Sequence, residues 1–387
     1  MTKTHNPALA LGILATVAIA SIVDGGHNGL QTPRADAAPD QADPCVFPTS
    51  PSSSNEETAW RLFIAANCPS NNGKVVWENW IEQDDYYIAP PGTQVPLSAL
   101  PKHRLHGSPL AALLKAQKKK AANLALVPSA QCNAMSAPPT GLAATQICEE
   151  THLNPDAVQF ISSQGYRFRV GQIAAAKANK AIAFTKPSVE VKVDWIPAID
   201  FKPAISCKSP PPGLHVEMVD GACYVMAGMH IESKLIDNWI WATFEPQSML
   251  TNPGRCVTFG PCHDAWGSSP VVSNGGAAGK SDQTPALQQL MTQAKLAPEF
   301  SNYRLDGVQT DFKSPEFLGN SIIEGENVGM TKDTASCISC HSSSAVSTTG
   351  KEGGVHALTG KKYQPPSGFI LRDFVWSLRF AKPFPKS

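Results

Sequence analysis

The sequence has little charge and no excess of either sign. Lysine, arginine, aspartate and glutamate make up 17% of the 387 residues, and 32 basic residues balance 32 acidic ones to a formal net charge of zero. Proteins that bind nucleic acid or an anionic surface carry a basic excess or a basic patch. The charge balance indicates neither kind of partner, so we expect no nucleic-acid binding.

The apolar run near the amino terminus is too short to cross a bilayer comfortably. Residues 8–23 form an uncharged, mostly apolar run of 16 residues, whereas a membrane-spanning helix needs about 20. Small-residue cleavage sequences follow at 18–20 and 35–37, which is the arrangement of a secretory signal. We predict that residues 1–37 are a signal peptide and that the protein is exported. The alternative is that this run stays uncleaved as a membrane anchor. We expect membrane contact only in that case.

The sequence lacks internal repeats and long regular patterns. With 33 prolines and 28 glycines, the chain is expected to be rich in loops, with short helices and strands. Residues 189–196 alternate in polarity as a half-buried strand does, and further strands are predicted at 223–231 and 238–244. The fold class that follows is α+β: an antiparallel strand core with short peripheral helices.

Helices are predicted where caps and apolar runs coincide. Ser54 and Glu57 form a capping box before the apolar run 59–66, which indicates a helix start. Further helices are expected at 110–126 and 285–295.

The sequence Cys337-Ile338-Ser339-Cys340-His341 carries the clearest chemical signal. Two cysteines separated by two residues and followed by histidine are typical of covalent haem c attachment, with the histidine as the proximal iron ligand. The alternatives are a local disulfide or half of a zinc site. A zinc site calls for a second ligand pair with recognisable spacing, and Cys256, Cys262 and His263 lack that spacing.

Eight of the 10 cysteines lie outside this motif. An even number in an exported chain indicates structural disulfides. The connectivity stays open, because eight cysteines allow about 105 pairings. The simplest hypothesis pairs neighbours in the sequence: 45 with 68, 132 with 148, 207 with 223, and 256 with 262.

The position of the motif determines how the haem is expected to be enclosed. Only 46 residues follow His341, and no methionine occurs after Met330. We therefore predict a flexible lead-in at 38–57, an α+β scaffold at 58–300, and a haem-bearing region at 301–387 that packs on the scaffold and does not fold independently.

The sixth iron ligand is left open by the sequence. His230 lies in a predicted strand, where it is expected to share a face with Tyr224 and Met226 because side chains alternate along a strand. His356, in a glycine-rich stretch, and Met330 are further candidates. A vacant sixth position is the remaining alternative.

The chain resembles a group of exported bacterial proteins labelled "cytochrome c family protein", whose role is mostly unassigned. The segments that carry the resemblance are WRLFIAAN at 60–67, HIESK at 230–234, NWIWATFE at 238–245, LGNSIIE at 318–324 and SCISCH at 336–341. The resemblance implies a periplasmic protein with one haem c, in which Cys337, Cys340 and His341 have their usual roles. Similar proteins often have histidine where this chain has Pro246.

Three functions remain open at this point. A monohaem c-type cytochrome that exchanges electrons with a periplasmic redox protein is the first. A haem-dependent oxidising enzyme of peroxidase or oxygenase type is the second, for which a vacant iron position would be needed. A haem subunit of a periplasmic dehydrogenase is the third.

Overall fold

An eight-stranded antiparallel sheet forms the centre of the computed structural model, and the strand order along it is β1-β3-β4-β6-β7-β8. Strand β2 pairs with β3, and β5 pairs with β6. The strands of the sheet are β1 (Ile81–Glu82), β2 (Asn133–Ala134), β3 (Gln146–Leu153), β4 (Val189–Pro197), β5 (Val216–Val219), β6 (Ala222–Ser233), β7 (Ile240–Pro246) and β8 (Tyr303–Gln309). A separate hairpin-like pair joins β9 (Ala345–Ser347) to β10 (Phe369–Leu371).

The helices are short and surround the sheet. The α-helices are α1 (Asn55–Asn67), α2 (Gln83–Ile88), α3 (Pro155–Ser163), α4 (Arg169–Lys177), α5 (Pro285–Gln293) and α6 (Cys337–His341). A π-helix covers Ser321–Val328, and 3-10 turns cover Trp77–Asn79, Ala198–Asp200, Pro298–Asn302 and Ser377–Phe380. The structure describes residues 43–88, 105–109, 111, 132–135, 146–247, 264–268, 282–331, 333–354 and 360–382.

The predicted α+β class with an antiparallel core and short helices is confirmed. The three predicted central strands correspond to β4, β6 and β7, and the predicted helices at 59–66 and 285–295 correspond to α1 and α5. The side chain of Ser54 accepts a hydrogen bond from the Glu57 N–H, which confirms the N-cap half of the predicted capping box, while the Glu57 carboxylate accepts from Ser53 and Arg61. The predicted helix at 110–126 lies outside the described residues, apart from Ala111. The signal-peptide prediction at 1–37 also lies outside them.

The sheet buries one apolar face against α1 and α5. Trp60 and Phe63 of α1 and Leu287 of α5 share a buried cluster with Val191, Met229, Phe244 and other strand residues. The ring centroids of Phe63 and Phe244 lie 4.4 Å apart. Burial of aromatic side chains of this size dominates the stability of a core, so this face holds the sheet to its helices.

The opposite face of the same sheet is polar and is nevertheless buried. Glu190 of β4 pairs with Glu232 of β6, and Lys192 pairs with His230. Glu190, His230 and Glu232 are each 5% exposed or less. The alternation in residues 189–196 therefore does not mark a half-solvated strand, because the carboxyl-terminal part of the chain covers the polar side.

A β-bulge corrects the predicted face of His230. The pairing of β4 with β6 shifts between Asp194 and Trp195, where Gly228 and Met226 are the successive partners. The extra residue inverts the alternation, so Met226 belongs to the apolar cluster of Met229 and not to the side of His230. The prediction that Met226 shares a face with His230 is wrong for this reason.

Three of the four proposed cysteine pairs form disulfides. Cys45 bonds to Cys68, Cys132 to Cys148, and Cys207 to Cys223. The fourth pair, 256 with 262, lies outside the described residues. Within the described ranges, no helix combines the length and hydropathy that a membrane span requires.

Candidate functional site

Helix α6 carries the two motif cysteines and the adjacent histidine on a single turn. Its start is fixed by two backbone hydrogen bonds: the Cys337 N–H donates to the Leu318 carbonyl at 3.2 Å, and the Ile338 N–H donates to Gln309 Oε1 at 3.1 Å. Gln309 is the last residue of β8. The motif is therefore anchored to the edge of the central sheet.

Cys337 and Cys340 are buried and reduced. Burial raises the pKa of the Cys340 thiol to about 12, and it raises the pKa of Cys337 well above its usual value. Neither sulfur takes part in a disulfide, so the structure does not favour the alternative of a local bridge. Both side chains are available as neutral thiols, one helical turn apart.

His341 has one ring nitrogen engaged and the other free for a ligand. Its Nδ1 lies 3.0 Å from the carbonyl oxygen of Phe374, which assigns the N–H to Nδ1 and leaves a lone pair on Nε2. Burial, assisted by the positive charge of Lys192, lowers the pKa of His341 to about 3, against the opposing effect of the Phe374 hydrogen bond. The imidazole is therefore neutral at physiological pH, the form that binds a metal.

Two tryptophans hold the His341 ring in place. The ring centroid of Trp241, on β7, lies 4.5 Å from that of His341, and that of Trp376 lies 6.1 Å away. Aromatic contacts of this kind restrict the orientation of the imidazole. Its Nε2 consequently faces Glu232 Oε1 at a distance of 3.4 Å.

A cavity lies between α6 and the polar face of the sheet. The central sheet contributes five residues to the cavity wall: Glu149, Thr151, Glu190, Lys192 and Glu232. The remaining lining residues are Gln83, Pro109, Cys340, His341, Trp376, Ser377 and Phe380. One side of the cavity is polar, and the other is formed by the motif and aromatic side chains.

The polar side of the cavity contains several carboxyl groups around one lysine. Burial raises the pKa of Glu190 to about 7, although the hydrogen bond from Ser377 opposes the shift. Burial, together with the charge of Glu190, raises the pKa of Glu232 well above its usual value. Lys192 lies 2.9 Å from Glu149 Oε2. Protonation of some carboxyl groups and pairing of another lower the cost of burying so many acids.

His230 lies next to the site, but its imidazole contacts an acid. Its Nε2 lies 3.3 Å from Glu324 Oε2 of the π-helix. Although burial acts to raise the pKa of Glu324, the nearby His230 and Lys192 lower it. His230 is two residues from Glu232 on the same strand, so it approaches the cavity without lining it.

The other candidate sixth ligands are not brought to the cavity by the described residues. Met330 follows the π-helix, and its backbone N–H donates to the Glu324 carbonyl at 2.8 Å. It is absent from the described cavity lining. His356 lies outside the described residues.

Sequence reasoning missed Glu190, Lys192 and Glu149 as parts of the site. The signal was present in part, because Glu190 and Lys192 alternate with valines in a strand that was correctly predicted. Recognising them required the register that places them opposite Glu232 and His230. Register depends on tertiary pairing, which the local alternation does not specify.

The chemistry of the donor groups fits a covalently held haem. Two neutral thiols, a neutral imidazole with a free Nε2, and an adjacent cavity are combined on α6 and its surroundings. The Nη1 atom of Arg379 is buried and, among the described residues, has no hydrogen-bond partner. Arg379 packs over Trp376, which lines the cavity, so a haem propionate is a chemically suitable partner for it.

Comparison with protein-family models, curated proteins and solved structures finds no match to this chain.

Proposed function

We propose that this protein is a periplasmic monohaem c-type cytochrome that transfers electrons. In this proposal Cys337 and Cys340 hold the porphyrin through thioethers, and His341 is the proximal ligand of the iron. The observation that carries the proposal is the state of His341, with Nδ1 bonded to the Phe374 carbonyl and Nε2 directed into the cavity. Metal-binding histidines usually donate their second N–H in this way.

The surroundings of His341 suit one-electron exchange. When bound, the haem supplies the redox-active iron. The protein's part is to hold the imidazole between Trp241 and Trp376 and to limit the access of water. A rigidly held ligand changes little when the iron changes its oxidation state, which favours rapid transfer.

The sixth ligand in this proposal is His230. It is buried on the same sheet face as Glu232, whose carboxylate lies 3.4 Å from His341 Nε2. Ligation would require the imidazole to leave Glu324, 3.3 Å away. A periplasmic redox protein is the expected partner, and the zero net charge gives no reason to expect strong long-range steering between the two.

A haem-dependent oxidising enzyme is the second candidate, and one observation favours it. Glu232 Oε1 lies 3.4 Å from His341 Nε2 in the cavity wall, and the described lining contains no methionine and no histidine besides His341. If His341 held a haem, Glu232 would be placed to act as a general acid or base in the oxidative chemistry that the haem would supply. Electron transfer needs no such group.

The test is expression of the full chain in a bacterial host that attaches haem c. We expect red protein whose colour survives denaturation and acid–solvent extraction, and we expect Cys337→Ser/Cys340→Ser to be colourless. His215→Gln is a matched control, because it removes a buried histidine that does not line the cavity. That variant should remain red. Colourless wild-type protein from a competent host would exclude covalent haem.

Spectroscopy separates the two candidates. An electron carrier should be six-coordinate and low-spin, should not react with carbon monoxide or peroxide, and should become high-spin in His230→Ala. An enzyme should contain high-spin ferric iron that reacts with peroxide, and Glu232→Gln should slow that reaction at least tenfold. High-spin, peroxide-reactive wild-type protein would replace the first candidate by the second.

A further inference from the structure

A second group of potential ligands flanks Gln83, a residue that lines the cavity. Glu82 ends β1, Asp84 lies in the first turn of α2, and His106 belongs to a short segment that pairs with β3. One ligand atom from each of these residues lies within 4.8 Å of the other two. Glu82 is fully buried, Asp84 is 5% exposed and His106 is 4% exposed.

The three side chains face one another without hydrogen bonds between them. His106 Nε2 lies 3.8 Å from Glu82 Oε1 and 3.8 Å from Asp84 Oδ2. These distances are too long for a hydrogen bond. Among the described residues, neither His106 Nε2 nor Glu82 Oε1 has any hydrogen-bond partner. Buried polar atoms are rarely left in this condition, and an ion is one of the ordinary explanations.

The remaining atoms of the same side chains are engaged, so the free atoms are oriented. His106 Nδ1 lies 3.0 Å from the Gly107 carbonyl and donates to it, so Nε2 is the ring nitrogen that faces the two acids. Glu82 Oε2 accepts hydrogen bonds from the Asp84 and Asp85 backbone N–H groups at 2.6 and 3.1 Å. The other oxygen of Glu82 is thereby directed toward His106.

The segment that carries His106 is held to the sheet by its backbone. The His106 N–H donates to the Glu149 carbonyl at 3.1 Å, and the Glu149 N–H donates to the His106 carbonyl at 2.8 Å. The β1–α2 turn is fixed to the same strand, because Ile81 and Glu82 pair with Leu153 and His152 of β3. Both sources of ligands are therefore anchored to one strand, so the arrangement is preorganised.

We propose that Glu82, Asp84 and His106 bind one divalent transition-metal ion of the Zn²⁺ type. Ligand atoms about 2.0–2.2 Å from a tetrahedral zinc ion lie about 3.4 Å from each other, close to the separations of 3.8 Å found here. An imidazole ligand disfavours Ca²⁺ and Mg²⁺, which prefer oxygen alone. Three protein ligands leave a coordination position for water.

The proposed ion has a clear physical effect. It neutralises two buried carboxylates, and it joins the β1–α2 turn to the segment that contains His106. Gln83, between the two acidic ligands, lines the cavity beside His341, so the ion would lie at the wall of that cavity. The proposal does not depend on haem attachment.

The test uses the full chain as purified, whether or not it carries haem, depleted of divalent metal by a chelator and then titrated with ZnCl₂. We expect one Zn²⁺ per chain, and X-ray absorption showing only nitrogen and oxygen ligands. Glu82→Gln and His106→Gln should each weaken binding at least tenfold. His215→Gln is the matched control, since that buried histidine lies between two acids but makes contacts of 3.1 and 3.2 Å to them, and its variant should bind Zn²⁺ within twofold of wild type.

Several outcomes would overturn the proposal. Sulfur in the zinc coordination shell would assign the ion to cysteines. Equal affinity of wild type and Glu82→Gln, or absence of binding by folded wild-type protein, would leave the three residues as a buried ion-pair group. The absorption measurement on wild type decides the question even if a buried substitution prevents folding, and Asp84→Asn supplies a further variant at a slightly exposed position. Tighter binding of Ca²⁺ than of Zn²⁺ would also contradict it.

Discussion

Buried histidines in this protein differ in the atoms that surround them, and those differences determine their chemistry. His341 donates from Nδ1 to a carbonyl and is neutral, with a pKa near 3. His215 lies between Glu78 at 3.1 Å and Glu299 at 3.2 Å. Although burial acts to lower the pKa of His215, the two glutamates raise it. The first histidine is suited to bind a metal, and the second to carry a positive charge.

The raised pKa of His215 makes stability depend on pH. A group that binds a proton more tightly in the folded state stabilises it fully below its unfolded pKa of about 6.5, and this contribution is lost as the pH rises through the folded pKa. We expect the free energy of unfolding to decrease between pH 6 and pH 9 more in wild type than in His215→Gln. Urea denaturation at several pH values measures this difference.

The control for this prediction is Ser54→Ala, which leaves His215 and its two acids intact. Its stability should follow the pH dependence of wild type. Parallel curves for wild type and His215→Gln would show that His215 does not titrate differently in the folded state. At low pH the contribution of Glu78 to stability changes with pH in the opposite direction, because its pKa is lowered in the folded state. Burial acts to raise this pKa, but the effect of His215 outweighs it.

At the scale of secondary structure, local signals located the elements but not all of their faces. Helix α1 begins directly after Ser54, as its capping box predicts. Strand β6 was also predicted, but the bulge opposite Asp194 and Trp195 moves Met226 to the apolar face. A β-bulge is defined by the pairing of two strands, so the alternation within one strand does not predict it.

The cap of α1 allows a quantitative prediction. Ser54→Ala removes the oxygen that accepts from the Glu57 N–H at 3.0 Å, and the free energy of unfolding should fall by about 1 kcal/mol. Chemical denaturation measures it. Ser53→Ala is the matched control, since the exposed Ser53 hydroxyl donates only to the Glu57 side chain, and it should change stability by less than about 0.5 kcal/mol. Equal losses in both variants would contradict the assigned cap.

At the scale of the whole molecule, buried polar contacts connect the carboxyl-terminal part to the rest of the fold. Arg372 is fully buried. Its Nε donates to Gln172 Oε1 of α4 at 2.8 Å, and its Nη1 donates to the Ala345 carbonyl of β9 at 3.1 Å. It also contacts both carboxylate oxygens of Glu352, at 2.5 and 3.0 Å. One guanidinium group therefore joins three separate segments.

Removing that guanidinium should destabilise the whole protein. Arg372→Met leaves the buried Gln172 side chain without this partner and removes one of three arginines that contact Glu352, whose side chain is 19% exposed. A fully broken buried ion pair costs about 3–5 kcal/mol, and because Glu352 keeps Arg169 and Arg379 we expect a loss of about 2–3 kcal/mol. Thermal and urea denaturation of the full chain measure the loss. Lys361→Met removes an exposed charge from the same region and should cost less than about 0.5 kcal/mol. A loss below about 1 kcal/mol in Arg372→Met would show that water or other groups replace its contacts.

Local sequence determined the start of α1, the positions of the central strands, the two-residue spacing of Cys337 and Cys340, and the neighbouring cysteine pairs that the described residues contain. These features depend on hydrogen bonds, side-chain periods and loop closures within a few tens of residues. Only the tertiary structure decided that Glu190 and Lys192 line the cavity beside His341, that Phe374 fixes its tautomer, and that His106 faces Glu82 and Asp84. Those contacts depend on strand register and on the packing of distant segments, and no local pattern specifies either.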